Sequence, residues 1–239
     1  MRSIIFGNLK KSVYFKLILI LLLVSLVTKN SITKVNPNSN GVLLVDSLDF
    51  GDQFQDELQD ICEMNNEVLE IKDTNVTVKY LKEISGQYSL IILRLHSTCQ
   101  RNVTWMFTGE LYTPSKYILE QLAFEVHSAK ANNMSDSYFV VSSYFIEHYL
   151  SNKIKSECVI LMGCNGLTKT DMGKAWVKAG ANSFVSWSGD ISLQETDYYT
   201  LRLVENYFRN GFDEGLANVL PSTDYKSGDS WLSIHLKVK

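Results

Sequence analysis

Apolar residues along the chain gather into short, dense runs separated by stretches of helical spacing. Residues 41–46 (Gly-Val-Leu-Leu-Val-Asp), 88–95 (Tyr-Ser-Leu-Ile-Ile-Leu-Arg-Leu), 158–162 (Cys-Val-Ile-Leu-Met) and 182–187 (Asn-Ser-Phe-Val-Ser-Trp) have this character. A nearly continuous apolar run of strand length marks a strand covered on both faces, as in a parallel sheet. Helical periodicity lies between them. It covers 52–65, with Phe54, Leu58, Ile61 and Cys62 in phase, then 145–150, 171–179 ending at Gly180, and 193–210 ending at Gly211. Residues 68–71 read as a short strand, 76–84 as a helix or irregular connection, and 137–142 as strand-like. Residues 105–112 look like a hairpin or flap with Gly109 as its turn. Pro114 sits where prolines open helices, and Tyr117, Leu119, Leu122 and Ala123 give the helix after it an apolar side. Residues 132–136 form a loop. Strands alternating with helices predict an α/β fold, with a mostly parallel sheet and helices on both faces.

The N-terminus carries a different pattern. Arg2, Lys10, Lys11 and Lys16 precede the apolar run 17–27. A basic flank before such a run fits a signal peptide, but no small-x-small cleavage site follows. With 12–15 included and Lys16 snorkelling, the segment approaches the ~17-residue minimum for spanning a bilayer. It reads as an uncleaved single-pass anchor over 1–29, with a cleaved signal as the alternative. The basic excess would keep the N-terminus cytoplasmic and place the rest outside. Residues 30–40, rich in Asn and Ser, read as a linker, and 41–239 as the folded domain.

Composition narrows the classes. The chain of 239 residues is 45% hydrophobic with net charge -3 and 3 prolines, an ordinary globular balance. No basic face or stripe points to nucleic acid. The 4 cysteines are too few for a disulfide scaffold, and no CxxC pair suggests zinc. One bridge is conceivable outside the cytoplasm, Cys62 with Cys99 leaving Cys164 free. No glycine-rich phosphate loop occurs, and neither a cofactor nor a metal is expected. The sequons at Asn75, Asn102 and Asn133 suit an extracytoplasmic domain without demanding one.

Candidate chemistry lies at the ends of two apolar runs. The run 158–162 breaks at Gly163-Cys164-Asn165-Gly166, which puts a thiol just past the strand's carboxyl end. The run 88–95 ends at His96-Ser97-Thr98. Ligands and chemistry collect at that edge of open α/β sheets. A thiol and an imidazole, each at the tip of a buried strand, are the two parts a cysteine nucleophile needs. Alone, such a cysteine is usually a small buried hydrophobe; the flanking glycines and the matching His96 favour chemistry. Cys158 reads as core, and His127, His148 and His235 as surface or packing residues.

This order of features resembles the caspase-like cysteine peptidases, with the closest likeness to the gingipain-like and CHAT-domain branches. It consists of a strand ending in His, a later strand ending in small-Cys-x-Gly, then a helix and Ala179-Gly180-Ala181-Asn182 before a strand. Residues 207–217 are similar to the family's closing helix pair, and the likeness covers roughly 41–220. It implies an α/β/α sandwich, with Cys164 as nucleophile, His96 as general base, and the backbone N–H groups of Ser97 and Cys164 as the oxyanion hole. The family usually has Gly after the His, where this chain has Ser97, and often Ala or Ser before the Cys, where it has Gly163. The Gly163 departure is expected to be harmless, whereas Ser97 bears on activity.

The chemistry implied is acyl transfer on a peptide or protein substrate. Asp190 and Glu195, after the strand ending at Trp187, would line a pocket selecting Lys or Arg, with Trp187 beside it. The plainer reading makes both acids helix-start residues near Ser188 and Ser192. Trp105, Phe107 and Tyr112 read as a packed hairpin or a substrate flap. Three functions stay open: an anchored cysteine peptidase, an inactive domain of the same fold that binds a partner, and another thiol-dependent hydrolase or transferase.

Overall fold

The computed structural model describes residues 41–48, 51–73, 75–131 and 135–211, together with the backbone of 232–234. The expected anchor and linker, Asn133, His235 and the segment after Gly211 up to 231 lie outside the described residues. In chain order the elements are β1 (Gly41–Asp46), α1 (Gln53–Met64), β2 (Leu69–Lys72), α2 (Val78–Glu83), β3 (Gly86–Arg94), β4 (Ser97–Gln100), β5 (Val103–Leu111) and α3 (Ile118–Leu122). They continue as β6 (Val126–Ala129), β7 (Tyr138–Ser142), α4 (Ser143–Leu150), β8 (Ile154–Leu161), α5 (Asp171–Ala179), β9 (Phe184–Trp187), α6 (Leu193–Asn210) and β10 (Leu232–Ile234).

The apolar runs become the centre of a sheet ordered β10-β9-β8-β3-β1-β2. β2, β1, β3, β8 and β9 are parallel, and β10 runs antiparallel along β9. Successive residues on each strand point to opposite faces, so each run feeds two cores. Val42, Leu44, Leu90, Ile92, Cys158 and Ile160 meet Phe54, Leu58 and Cys62 of α1 and Leu203 and Val204 of α6. Leu43, Val45, Ile91, Leu93, Val159 and Leu161 meet α2, α4 and α5 through residues such as Leu81, Phe145 and Trp176. Continuous hydrophobicity is therefore what this position in the fold requires, and the α/β class with helices on both faces is as the pattern predicts.

The segment between β3 and β8 departs from the expected alternation. β4, β5, β7 and β6 form a second, antiparallel sheet in that order. The hairpin turn falls at Arg101 and Asn102, whose φ angles of 52° and 63° put both in the left-handed region that two-residue hairpins use. Gly109 is not the turn; it lies inside β5, where the ladder to β7 shifts register between Phe107 and Leu111. The helix expected after Pro114 is one turn long. It begins at Tyr117 with φ 52° and is followed by Phe124 with φ 57°, which reverses the chain into β6. Its side chains Ile118, Leu119 and Leu122 face solvent. The conceivable Cys62–Cys99 bridge is also corrected. All four cysteines are free, with Cys62 buried against the sheet and Cys99 on β4.

Candidate active site

β3 and β8 are hydrogen-bonded neighbours, with Leu93 opposite Leu161 and the Met162 N–H donating to the Leu93 carbonyl at 3.0 Å. His96 and Cys164 each lie three residues beyond that pair, so the two strand tips leave the sheet side by side. They touch. The Ser97 hydroxyl donates to the Cys164 carbonyl at 2.6 Å. A β-carbon on Gly163 would come within 2.4 Å of both the Leu95 carbonyl oxygen and Ser97 Oγ. Glycine at 163 is therefore a necessity of this close approach, beyond the harmless change expected. Ser97 Oγ occupies the room that a side chain at 163 would need.

The Cys164 turn is clamped from its other side by the loop after β9. Asn165, at φ 60°, takes the left-handed conformation that Asn tolerates better than most residues. Its backbone N–H donates to Gly189 O at 2.9 Å, and its side-chain amide donates to Asp190 Oδ1 at 2.6 Å. A β-carbon on Gly166 would sit 2.0 Å from Ser186 Oγ, so the second glycine of the turn is also required. The Cys164 sulfur lies against Ile191, donating to its carbonyl at 3.5 Å and accepting its N–H at 3.4 Å. Ile191 directly precedes Ser192, which caps α6 in a reciprocal pair with Glu195.

Burial shifts both groups away from their charged forms. Burial pushes the Cys164 thiol above its ordinary value; the Ile191 N–H pulls it down, and the Asp190 carboxylate raises it. Burial alone holds His96 below the usual imidazole range. Its ring meets Phe107 edge-on at 6.0 Å, and among the described residues neither ring nitrogen has a hydrogen-bond partner. Both shifts disfavour the charged forms, a thiolate at Cys164 and an imidazolium at His96.

The remaining expected residues separate. Trp187 is buried, and its indole N–H donates to Thr196 Oγ1 at 2.8 Å, which in turn donates to Met162 O at 3.0 Å. Through these contacts it braces the end of β8 that leads to Cys164. Asp190 is exposed and tied to the Cys164 turn, while Glu195 serves the α6 cap. Cys158 is core, its thiol pushed up to about 12 by burial. His127 stacks edge-on with Trp105, and His148 pairs with Glu125 at 2.7 Å, both away from the site.

Three features lay outside the sequence reading. The Ile191 backbone has no side-chain signature. The bond from Ser97 to Cys164 joins residues far apart in sequence. The third is a buried ion cluster, in which Arg94 pairs with Asp46 at 2.9 Å and with Asp197 at 2.9 Å. An arginine inside an apolar strand and an aspartate ending another were the available signal, since buried charges need partners. Arg94 also lies over the Phe54 ring at 5.0 Å and forms one wall of a cleft of about 780 Å³ between α1 and α6.

Among the described residues, no group of three or more His, Cys, Asp or Glu is arranged to hold a metal ion, and no helix is long and apolar enough to cross a membrane. No family model matches the chain, and no curated protein matches it at a significant level.

Proposed function

We propose that this protein is a cysteine peptidase of caspase-like type, anchored by its N-terminal segment and acting outside the membrane. The observation that carries the reading is the contact of two strand tips, one bearing His96 and the other Cys164, through Ser97 and Gly163. In the proposed reaction, Cys164 Sγ attacks a peptide carbonyl while His96 accepts the thiol proton. The backbone N–H groups of Ser97 and Cys164 hold the oxyanion, and His96 then returns the proton to the leaving amine. Water hydrolyses the thioester and restores the thiol. Because burial disfavours both charged forms, proton transfer in the proposed reaction accompanies attack instead of preceding it. Asp190 lies close enough to the thiol to raise its pKa, and it favours Lys or Arg before the cut.

A second reading is an inactive domain of the same fold that binds a partner. It is favoured by the sulfur's hydrogen bonds to Ile191, which hold it where no bond to His96 forms.

The test uses the full-length chain and peptide acyloxymethylketones carrying Lys, Arg or Asp before the warhead. Labelling of the wild type that is lost in both Cys164→Ala and His96→Ala supports the peptidase. A folded wild type that none of the probes labels supports the binding domain.

A further inference from the structure

Exposed apolar side chains occur in several places, including Tyr198 beside Arg94, and Phe124 and Tyr144 beside the second sheet, but three of them share the one-turn helix α3. Gly41 opens β1 and pairs with Tyr88 near the start of β3, and Gly86, the first residue of β3, pairs with Ile154, the first of β8. These residues define the amino edge of the parallel strands, opposite the edge bearing His96 and Cys164. The one-turn helix α3 is held toward this edge through Glu120 and toward the start of α2 through Tyr117, whose hydroxyl donates to Glu110, the acceptor of the Val78 N–H. Glu120 accepts from Lys82, in the last turn of α2 just before β3, and from the Tyr149 hydroxyl at 3.2 Å, near the end of α4 just before β8. Held in this way, α3 turns Ile118, Leu119 and Leu122 outward at 54%, 78% and 73% exposure. Met64 and Val68 are 73% and 53% exposed and belong to the same edge, because the Val68 carbonyl accepts the Val42 N–H at 2.8 Å.

Soluble surfaces carry isolated apolar residues without consequence, but clustered ones mark contact with a partner or a membrane. The polar contacts of α3 point inward and its leucines outward, which inverts the usual arrangement of a surface helix. The occupant is indicated by the chain itself. The described domain begins at Gly41 on this same edge, and the stretch before it contains the apolar run 17–27 behind a basic flank. We infer that the amino edge, led by Ile118, Leu119 and Leu122 of α3, rests in the headgroup–acyl boundary of a phospholipid bilayer. Leucine side chains carried just above a membrane surface gain by burial to that depth. The inference is independent of whether the Cys164 site is catalytic, and it shares with the proposed function only the expectation that residues 1–29 enter a bilayer.

The full-length chain is reconstituted into phosphatidylcholine vesicles containing a phosphatidylcholine with a diazirine in its acyl chain. After photolysis, adducts are mapped by peptide mass spectrometry. Adducts are expected on the peptide spanning 111–124 as well as on that spanning 12–27. They should fall to background on 111–124 alone in the Leu119→Glu, Leu122→Glu variant. Both leucines are largely exposed, so the variant should keep the wild-type circular dichroism and melting curve. Adducts on 12–27 with none on 111–124 overturn the docking surface and leave the anchor standing. Adducts on 111–124 without any on 12–27 uphold the surface and overturn the anchor. Absence from both overturns both.

Discussion

Between Ser97 Oγ and the Cys164 carbonyl, a single short hydrogen bond joins the two halves of the site, so it is the first interaction to remove. Ser97→Ala should cost about 1 kcal/mol of stability, measurable as a lower midpoint in urea. The protonation states give a sharper expectation. With the thiol raised and the imidazole lowered, alkylation of Cys164 by iodoacetamide should climb steadily into the alkaline range. A rate already at its plateau below neutral pH would instead reveal a preformed ion pair. Asp190→Asn removes a negative charge that disfavours the thiolate, so alkylation of that variant at pH ~8 should be faster than wild type. Linkage adds a further test. Folding lowers the proton affinity of His96, so the unfolded chain binds that proton more tightly. Stability from this group is therefore present above the unfolded pKa of ~6.5 and lost as pH falls through it. Thermal melts of His96→Gln between pH ~7 and ~5 should be less pH-dependent than those of wild type.

At the scale of elements, the Arg94 cluster ties β1, β3 and α6 together at the carboxyl edge. Arg94→Met would leave Asp46, 1% exposed, without its cation. Only the Leu48 N–H at 2.8 Å and the Gln55 amide at 3.2 Å would remain to it. Breaking such a pair from one side should cost about 3–5 kcal/mol in urea unfolding. The long elements were legible because a single physical signal dominated each. Residues 193–210 show one apolar stripe between a Ser cap and a Gly stop, and α6 spans Leu193–Asn210. The second sheet was legible only in part. β4 and β6 are four residues each, too short for alternation to outvote local propensity, and the leucines of α3 imitate a core-facing helix while pointing outward. The thiol and imidazole were found because each ends an apolar strand. The contacts that seat them, from Ile191 and Ser97, come from tertiary proximity that sequence spacing does not encode.

For the molecule as a whole, the proposed catalytic and membrane-facing surfaces are separated by distance along the strands. On the two proposals, chemistry lies where β3 and β8 end, and the apolar surface of α3 toward where they begin. If the amino edge meets a bilayer, the carboxyl edge faces away from it, toward substrates in solution rather than lipids. Removing the apolar surface should then leave acyloxymethylketone labelling of Cys164 unchanged in detergent solution. A loss of labelling in the folded Leu119→Glu, Leu122→Glu variant would show that the two ends are coupled.

β3 and β8 are locked in register along nearly their full length and packed from both faces. A hinge between His96 and Cys164 would have to tear the middle of the sheet, so the strands cannot serve as a shutter. Residues 188–191 belong to no strand; they form a short strap, hydrogen-bonded to the Cys164 turn, whose last peptide grips the sulfur. If the proposed peptidase has an off position, that strap is its bolt, and sliding it would release the thiol without disturbing a single strand.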